Sequence, residues 1–293
     1  MSDSGRIDAK TKLMGFIASP ASHSISPIMQ NMAHRKLGLN NVFMAFDVNN
    51  ERLADALTGL KALGVRGFSV SMPNKMAIIP LLDELAPEAQ LIGAVNTVVN
   101  ENGKLIGHNF DGIGYMRSLT EEGVAVVGKK MTLLGAGGAG TAIAIQAAMD
   151  GVAKISIFNR DDEFFPRALD NAKKINEQMK DTNCKATVYR LEDEERLKQE
   201  LASSDILTNS TNVGMKDLEG QTLIPDASWL RPELVVSDII YNPRVTKLME
   251  QGHSVGCKTI NGLGMVLWQG AVAFKKWTGE DMPVDYIIEQ IFD

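Results

Sequence analysis

"KKMTLLGAGGAGTAIAIQAAM", residues 129–149, decides the fold. Its apolar start predicts a strand over 131–135, and its apolar end a helix. Between them Gly135, Gly137 and Gly140 keep G-x-G-x-x-G spacing, with Gly138 extra. The first glycine permits a tight turn, the second lets the backbone approach a pyrophosphate, and the third allows close helix–strand packing. The helix N-terminus adds N–H donors for phosphate. A glycine triplet alone says little. Here a strand precedes it, a helix follows, and the strand "KISIFN" arrives about 20 residues on, which is the setting of a dinucleotide site.

Reading on toward the C-terminus, a helix around 163–180, strand "ATVYRL", a charged helix 192–201 and strands "DILTN", "LVVSDII" and "CKTI" complete a set of six. Strands alternating with crossovers predict parallel pairing in a doubly wound sheet. The end, "GMVLWQGAVAFKKWTG" and "VDYIIEQIF", is helical and has no strand left to pair with, so it is expected to return to the first domain.

Before 129 the pattern is also α/β. "KLMGFIA" and "NVFMAFDV" are predicted strands around a helix "PIMQNMAHRKLG" that ends at Gly38. "ERLADALTGLKALG" puts Leu53, Leu57, Leu60 and Leu63 on one helical stripe, capped by Gly64. Strand "RGFSV", the turn "SMPNK" and a helix through "IIPLLDEL" follow. "GAVNTVVNENGKLIGHN" is a hairpin turning at Asn102-Gly103. Motif content sets the domains at 1–112, completed by helices of 266–293, and at 113–265.

Bulk properties narrow the class. The chain has 293 residues, 44% hydrophobic and 23% charged, with net charge −6. Acidic balance excludes nucleic acid as the main partner. No 18-residue apolar stretch offers a membrane span. The polar "MSDSGRIDAKTK" lacks the apolar core of a signal peptide and reads as a frayed tail. Cys184 and Cys257 are too few for a zinc site or disulfide framework, and fit a reduced cytoplasm. The fifteen methionines are most simply core filler.

The tip of the second strand of the glycine-motif domain reads "FNRDDE". Asn159 and Arg160 suit a 2′-phosphate, because guanidinium meets phosphate in a bidentate way. Asp161 and Asp162 would instead accept from a ribose hydroxyl, or simply cap a solvated loop. Use of both NAD and NADP accounts for all four residues. In the first domain Lys75 follows a buried strand beside a proline-set turn, and Asp111 follows the hairpin. Singly, a solvated lysine and an N-cap aspartate would explain them. As a pair, they supply what alcohol–ketone interconversion asks of a protein, one proton moved to or from the oxygen. His23, His34, His108 and His253 sit in no comparably organised motif, and no residue spacing suggests a metal.

"HSISP" (23–27), "VSMPNK", "GAVNT", "NFDGIG", "LLGAGGAG", "FNRDD", "YNP" and "GLGMVLWQGAVAF" occur in the order seen in shikimate dehydrogenases. The chain resembles that family over nearly its whole length, most closely the quinate/shikimate branch. The resemblance implies an N-terminal α/β substrate domain, a Rossmann-type NAD(P) domain and C-terminal helices that return to the first. It implies reversible NAD(P)-dependent reduction of 3-dehydroshikimate to shikimate, a step of chorismate and aromatic amino acid biosynthesis, with 3-dehydroquinate to quinate beside it. By the same resemblance Lys75 and Asp111 are the catalytic pair, Ser24 and Ser26 hold the substrate carboxylate, and Ser71, Asn96 and Gln269 touch the substrate. Gly135, Ala136, Gly137, Gly138, Ala139, Asn159, Arg160 and Asp162 then hold the adenosine and pyrophosphate half of the cofactor. Val213, Tyr241, Gly262 and Met265 lie toward its nicotinamide. A homodimer is left open, and a dehydrogenase for another small hydroxy acid, or a low-turnover dinucleotide-binding module, is the alternative.

Two departures stand out. The family usually reads N-T-D-G, whereas this chain has Phe110 in place of the threonine. Losing that hydroxyl costs on the order of 1 kcal/mol of substrate binding, unless the backbone carries the ring elsewhere. "NRD" in place of "NRT" points away from strict NADP use. Ser26 raises a local question of its own. With Pro27 in the first helical turn, it is the natural N-cap, which leaves Ser24 without work unless the two hydroxyls share a carboxylate.

Overall fold

The computed structural model describes residues 7–292; the expectation of a frayed tail falls partly on residues 1–6, outside that range. The chain forms two compact units. One ends at Phe110 and resumes at Gln269; the other is the continuous segment Asp111–Trp268.

The first unit is built on β1 (Lys12–Ala18), β2 (Asn41–Asp47), β3 (Gly67–Val70), β4 (Glu84–Leu85), β5 (Thr97–Glu101) and β6 (Lys104–His108), in the order β2-β1-β3-β5-β6-β4. β1 runs parallel to β2 and β3, whereas β5 is antiparallel to both β3 and β6. This mixture puts the carboxyl ends of β1 and β3, the start of β5 and the end of β6 on one edge. Asn102 (φ 54°) and Gly103 (φ 89°) make the β5–β6 turn, the left-handed pair a two-residue hairpin requires.

The C-terminal helical segment completes this unit. Trp277 donates its indole N–H to the Val98 carbonyl at 3.0 Å, and Gln30 donates to the Gly270 carbonyl at 3.0 Å. A Cβ on Gly67 would lie 2.3 Å from the Trp277 indole, so only glycine admits the ring there.

The second unit carries β7 (Lys130–Leu134), β8 (Lys154–Asn159), β9 (Lys185–Arg190), β10 (Ile206–Asn209), β11 (Val235–Asp238) and β12 (Thr259–Ile260), all parallel, in the order β12-β11-β10-β7-β8-β9. This is the doubly wound order, and its direction reverses between β7 and β10. Ligands of such sheets bind outside the carboxyl ends at that reversal.

Several local expectations are corrected. Leu63 leaves the leucine stripe. The helix stops at Ala62, and Leu63, 75% exposed, serves as its C-cap before Gly64 turns left-handed. "IIPLLDEL" is no helix. Pro80 cannot donate to a helical ladder, so Ile79–Leu81 is a 3₁₀ turn and Glu84–Leu85 pairs with β6. The helix falls later, at Pro87–Ile92. The 163–180 helix is Phe165–Lys173, ending in a π turn over Lys174–Gln178. The methionines are not all filler, since Met72 and Met76, either side of Lys75, are 68% and 54% exposed.

Candidate functional site

In the first unit Asn96 is the node. Its carbonyl accepts the Val70 N–H at 2.7 Å, and its own N–H donates to the His108 carbonyl at 3.0 Å. Its side-chain oxygen accepts the Phe110 N–H at 2.9 Å and the Thr97 hydroxyl at 3.0 Å, while its amide nitrogen lies 3.4 Å from Gln269 Oε1. One residue earlier, the Val95 N–H bonds to the carbonyl of Lys75 at 2.8 Å. Asn96 and its neighbour Val95 thereby gather the strand end before Ser71, Gln269 and the residue that precedes Asp111, with Val95 holding the main chain of Lys75. Asp111 itself opens the helix Asp111–Glu121 and is buried.

Lys75 sits half-buried in the short helix Asn74–Ala77. That turn is pinned by Asn74, wholly buried, whose amide donates to the Val48 carbonyl at 2.7 Å. Ser71 anchors the turn's start, donating its N–H to the Ile17 carbonyl at 2.9 Å. The loop after β1 is fixed by Asp47, which accepts from the Ser19 hydroxyl at 2.7 Å and the Ala21 N–H at 3.2 Å. These bonds hold Asp47 below the ordinary carboxylate range.

Ser26 is not the N-cap. The cap position is Ile25, which makes no side-chain bond, and Ser26 is the first helical residue. The Ser26 N–H is taken instead by Ser24 Oγ at 3.2 Å. A hydroxyl that accepts in this way still has its own proton to donate, so Ser24 has a structural task and a donor besides.

Phe110 is carried onto the imidazole of His108. Its ring is only 3% exposed and stacks at 5.3 Å between centroids. His108 Nδ1 lies 2.8 Å from Glu88. Burial is the largest single influence on Glu88 and would raise it, but the hydrogen bond to His108, a backbone hydrogen bond and the nearby charges of His108 and Lys276 together leave the carboxyl below its usual value.

In the second unit two glycines of the motif, Gly135 and Gly140, meet a physical demand. Gly135 has φ +96°, and a Cβ there would sit 2.7 Å from Thr211. A Cβ on Gly140 would lie 2.4 Å from the Gly135 carbonyl, whereas Gly137 and Gly138 face open space. The helix Gly138–Met149 starts there, and the N–H groups of its first turn have no helical acceptor. A phosphate-bearing dinucleotide therefore fits this loop. The Ala136 N–H is already used, donating to Asn159 Oδ1 at 2.9 Å, which leaves Gly137, Gly138 and Ala139 at the open edge. Asn159 also donates to Asp162 Oδ1 at 2.9 Å, and the Phe164 N–H reaches the same oxygen at 2.9 Å. Arg160 is exposed beside them.

A node that sequence reasoning missed lies at the ends of β10 and β11. Buried Asp238 accepts from Asn209 at 3.1 Å, the Ile240 N–H at 3.0 Å and the Thr246 hydroxyl at 2.8 Å. Burial raises its pKa, and no cation is among these partners. Asn209 in turn donates to the Val213 carbonyl at 3.1 Å. The loops bearing Val213 and Tyr241 are thus tied to one carboxyl group. Their signal was position, since Asn209 and Asp238 are each the last residue of a parallel strand. Nearby, Gly262 crosses so close to Ile239 that a Cβ would lie 1.8 Å from its carbonyl, and Met265 is buried in the helix that follows. Among the described residues no His, Cys, Asp or Glu group forms a metal site, and no helix is long and apolar enough to cross a membrane.

Known proteins similar to this chain include shikimate and quinate/shikimate dehydrogenases. Residues 16–98 match the shikimate dehydrogenase substrate binding domain, and residues 262–292 the shikimate 5′-dehydrogenase C-terminal domain. A shikimate dehydrogenase (NADP(+)) of Listeria innocua is 55% identical over 287 residues, 98% of each chain. A quinate/shikimate dehydrogenase of Escherichia coli is 50% identical over 281 residues, 96% of each. A crystal structure of shikimate 5-dehydrogenase from Listeria monocytogenes, in complex with shikimate and NAD, superposes with a TM-score of 0.93 at 55% identity, covering 97% of both chains.

Proposed function

Because the chain belongs to the shikimate dehydrogenase family, we propose that it catalyses the reversible reduction of 3-dehydroshikimate to shikimate with NAD or NADP, and that of 3-dehydroquinate to quinate. The nicotinamide cofactor, when bound, supplies the hydride. The protein's own task is to hold the ring and manage one proton at the carbonyl oxygen. The unit built around Asn96 is the substrate domain, and Asp111–Trp268 is the nicotinamide cofactor domain.

Lys75 delivers the proton in reduction and recovers it in oxidation, and Asp111 is the second member of the catalytic pair. Ser24 and Ser26 hold the substrate carboxylate, and Ser71, Asn96 and Gln269 orient the ring hydroxyls. On the cofactor side Gly137, Gly138 and Ala139 carry the pyrophosphate, and Asn159, Arg160 and Asp162 the adenosine ribose. Val213, Tyr241, Gly262 and Met265 line the nicotinamide end. Both cysteines are free and buried, and burial lifts the Cys184 thiol to about 11, which makes it a poor nucleophile; the proposed location is the cytoplasm.

The observation that carries the proposal is the bonding around Val95 and Asn96, which links the Lys75 backbone, Gln269 and the residue before Asp111. The test crosses shikimate and quinate with NAD and NADP, following reduced cofactor by absorbance. Shikimate with at least one cofactor should turn over. Lys75→Ala should lose about 100-fold or more in kcat with cofactor affinity kept, as removal of a proton-transfer group does. Silence in all four combinations would instead favour a dinucleotide-binding module.

A further inference from the structure

At the edge of the second unit, an ion pair sits beside the tip that would hold the adenosine ribose. Arg190 ends β9 and stands in register with Asn159, the end of β8, and the Leu191 N–H bonds to the Asn159 carbonyl at 2.9 Å. The Arg190 Nη1 lies 3.0 Å from Asp161 Oδ2, and its guanidinium carbon lies 5.7 Å from the Phe165 ring centre. Both partners of the pair are open to solvent, 61% and 54% exposed.

The two acids of this turn therefore have different occupations. Asp162 is an internal acceptor, its Oδ1 bound by Asn159 and the Phe164 N–H. Asp161 is spent on a cation from the next strand. In a doubly wound sheet the tip of the second strand is where the ribose 2′ position is read, by an acid when it is a hydroxyl and by arginine when it is a phosphate. An exposed ion pair is weak and exchangeable. A dianionic phosphate outcompetes a monoanionic carboxylate for a guanidinium, whose flat fork it fits.

We propose that Arg190 is the second guanidinium of a 2′-phosphate clamp, partnered by Arg160, and that Asp161 is its internal competitor, so that the Arg190–Asp161 pair sets the NADP-to-NAD preference of this chain. With NAD the pair stays closed and Asp161 neutralises a cation that the ribose hydroxyl cannot use. With NADP Arg190 swings to the phosphate and Asp161 is released to water. The proposal rests on the cofactor assignment above.

Calorimetric titration of the full chain with NAD, NADP and 2′-AMP tests it, free of turnover. Arg190→Ala should weaken NADP and 2′-AMP roughly tenfold, the size of one charge-assisted contact, and leave NAD within about twofold. Asp161→Asn should tighten NADP several-fold, and this gain should vanish when combined with Arg190→Ala, because the two residues act through each other. Equal effects on NAD and NADP, or an Asp161→Asn gain that survives without Arg190, would overturn it. Wild-type protein that binds neither dinucleotide would remove the cofactor assignment itself, a separate outcome.

Discussion

At the scale of single residues, Phe110 shows how one substitution can leave its neighbours in place. A threonine at this position would offer a hydroxyl; the phenylalanine instead lays its ring on His108, which is braced by Glu88. The bond from its N–H to Asn96 is made by the backbone and needs no particular side chain. Phe110→Thr should therefore keep Asn96 placed while removing a buried ring and its stacking partner. The expected cost is about 3 kcal/mol of stability, read as a lower urea midpoint, with NAD affinity unchanged. An unaltered midpoint would mean that the ring contributes nothing to packing. Ser24 gives the same lesson from the other direction. Its spacing from Pro27 concealed that its hydroxyl, two residues before the helical turn, takes the N–H of Ser26.

At the scale of elements, the helix Glu194–Ala202 packs on the sheet through Leu197 and Leu201, and one buried carboxylate ties it to the starts of the strands. Glu200 lies 2.8 Å from Lys130 at the start of β7, 3.4 Å from Lys154 at the start of β8, 2.6 Å from the Ser156 hydroxyl and 2.6 Å from Arg196 one turn back. Burial opposes its ionisation, but the bonds to Lys130 and Ser156, with the charges of Lys130 and Lys154, bring it down to about 2. A carboxyl depressed on folding stabilises above its unfolded value near 4.5, and that stability is lost as pH falls toward 2. Glu200→Gln should remove it, at about 3 kcal/mol above pH 4.5 and progressively less below, because three cations lose their shared anion. Since these contacts lie at the amino ends of the strands, dinucleotide affinity should not change; a loss of NAD binding matching the loss of stability would contradict that separation. Elements were the most legible level of the sequence. Gly135 announced the turn and Asn102-Gly103 the hairpin, because each demands a left-handed backbone that few residues adopt, and Gly140 marked the turn because a Cβ there has no room. Pairings across strands left no local trace. Arg190 with Asp161, Asn209 with Asp238 and Asn96 with Phe110 depend on register and topology, which periodicity does not carry. Lys75 and Asp111 were legible as motif members, while the bonds that hold their main chain were not.

At the scale of the molecule, the two units face acid with different buried groups. In the first, His34 lies sealed between its helix and Phe274, with Asn41 at 3.4 Å, and burial pushes it down to about 4. Folding keeps this imidazole neutral, whereas the unfolded chain protonates near 6.5. Stability is therefore complete above 6.5 and lost as pH falls from 6.5 toward 4, by roughly 3 kcal/mol for a shift of this size. In the second unit Glu200 gives nothing up until pH drops below about 4.5. The first unit also depends on a chain that leaves it at Phe110 and comes back at Gln269 to cover it with Trp277, so it is the unit with more to lose. Acid unfolding should then proceed in two stages, the first unit loosening between pH 6.5 and 4 and the second below it. Hydrogen exchange resolved by segment can follow this, comparing Val98 in β5 with Leu133 in β7 as pH is lowered. His34→Leu should abolish the early stage and leave the late one in place, since a leucine has no proton to gain. A single transition, or an early stage that persists in His34→Leu, would show that the units answer acid together and that His34 does not set the order.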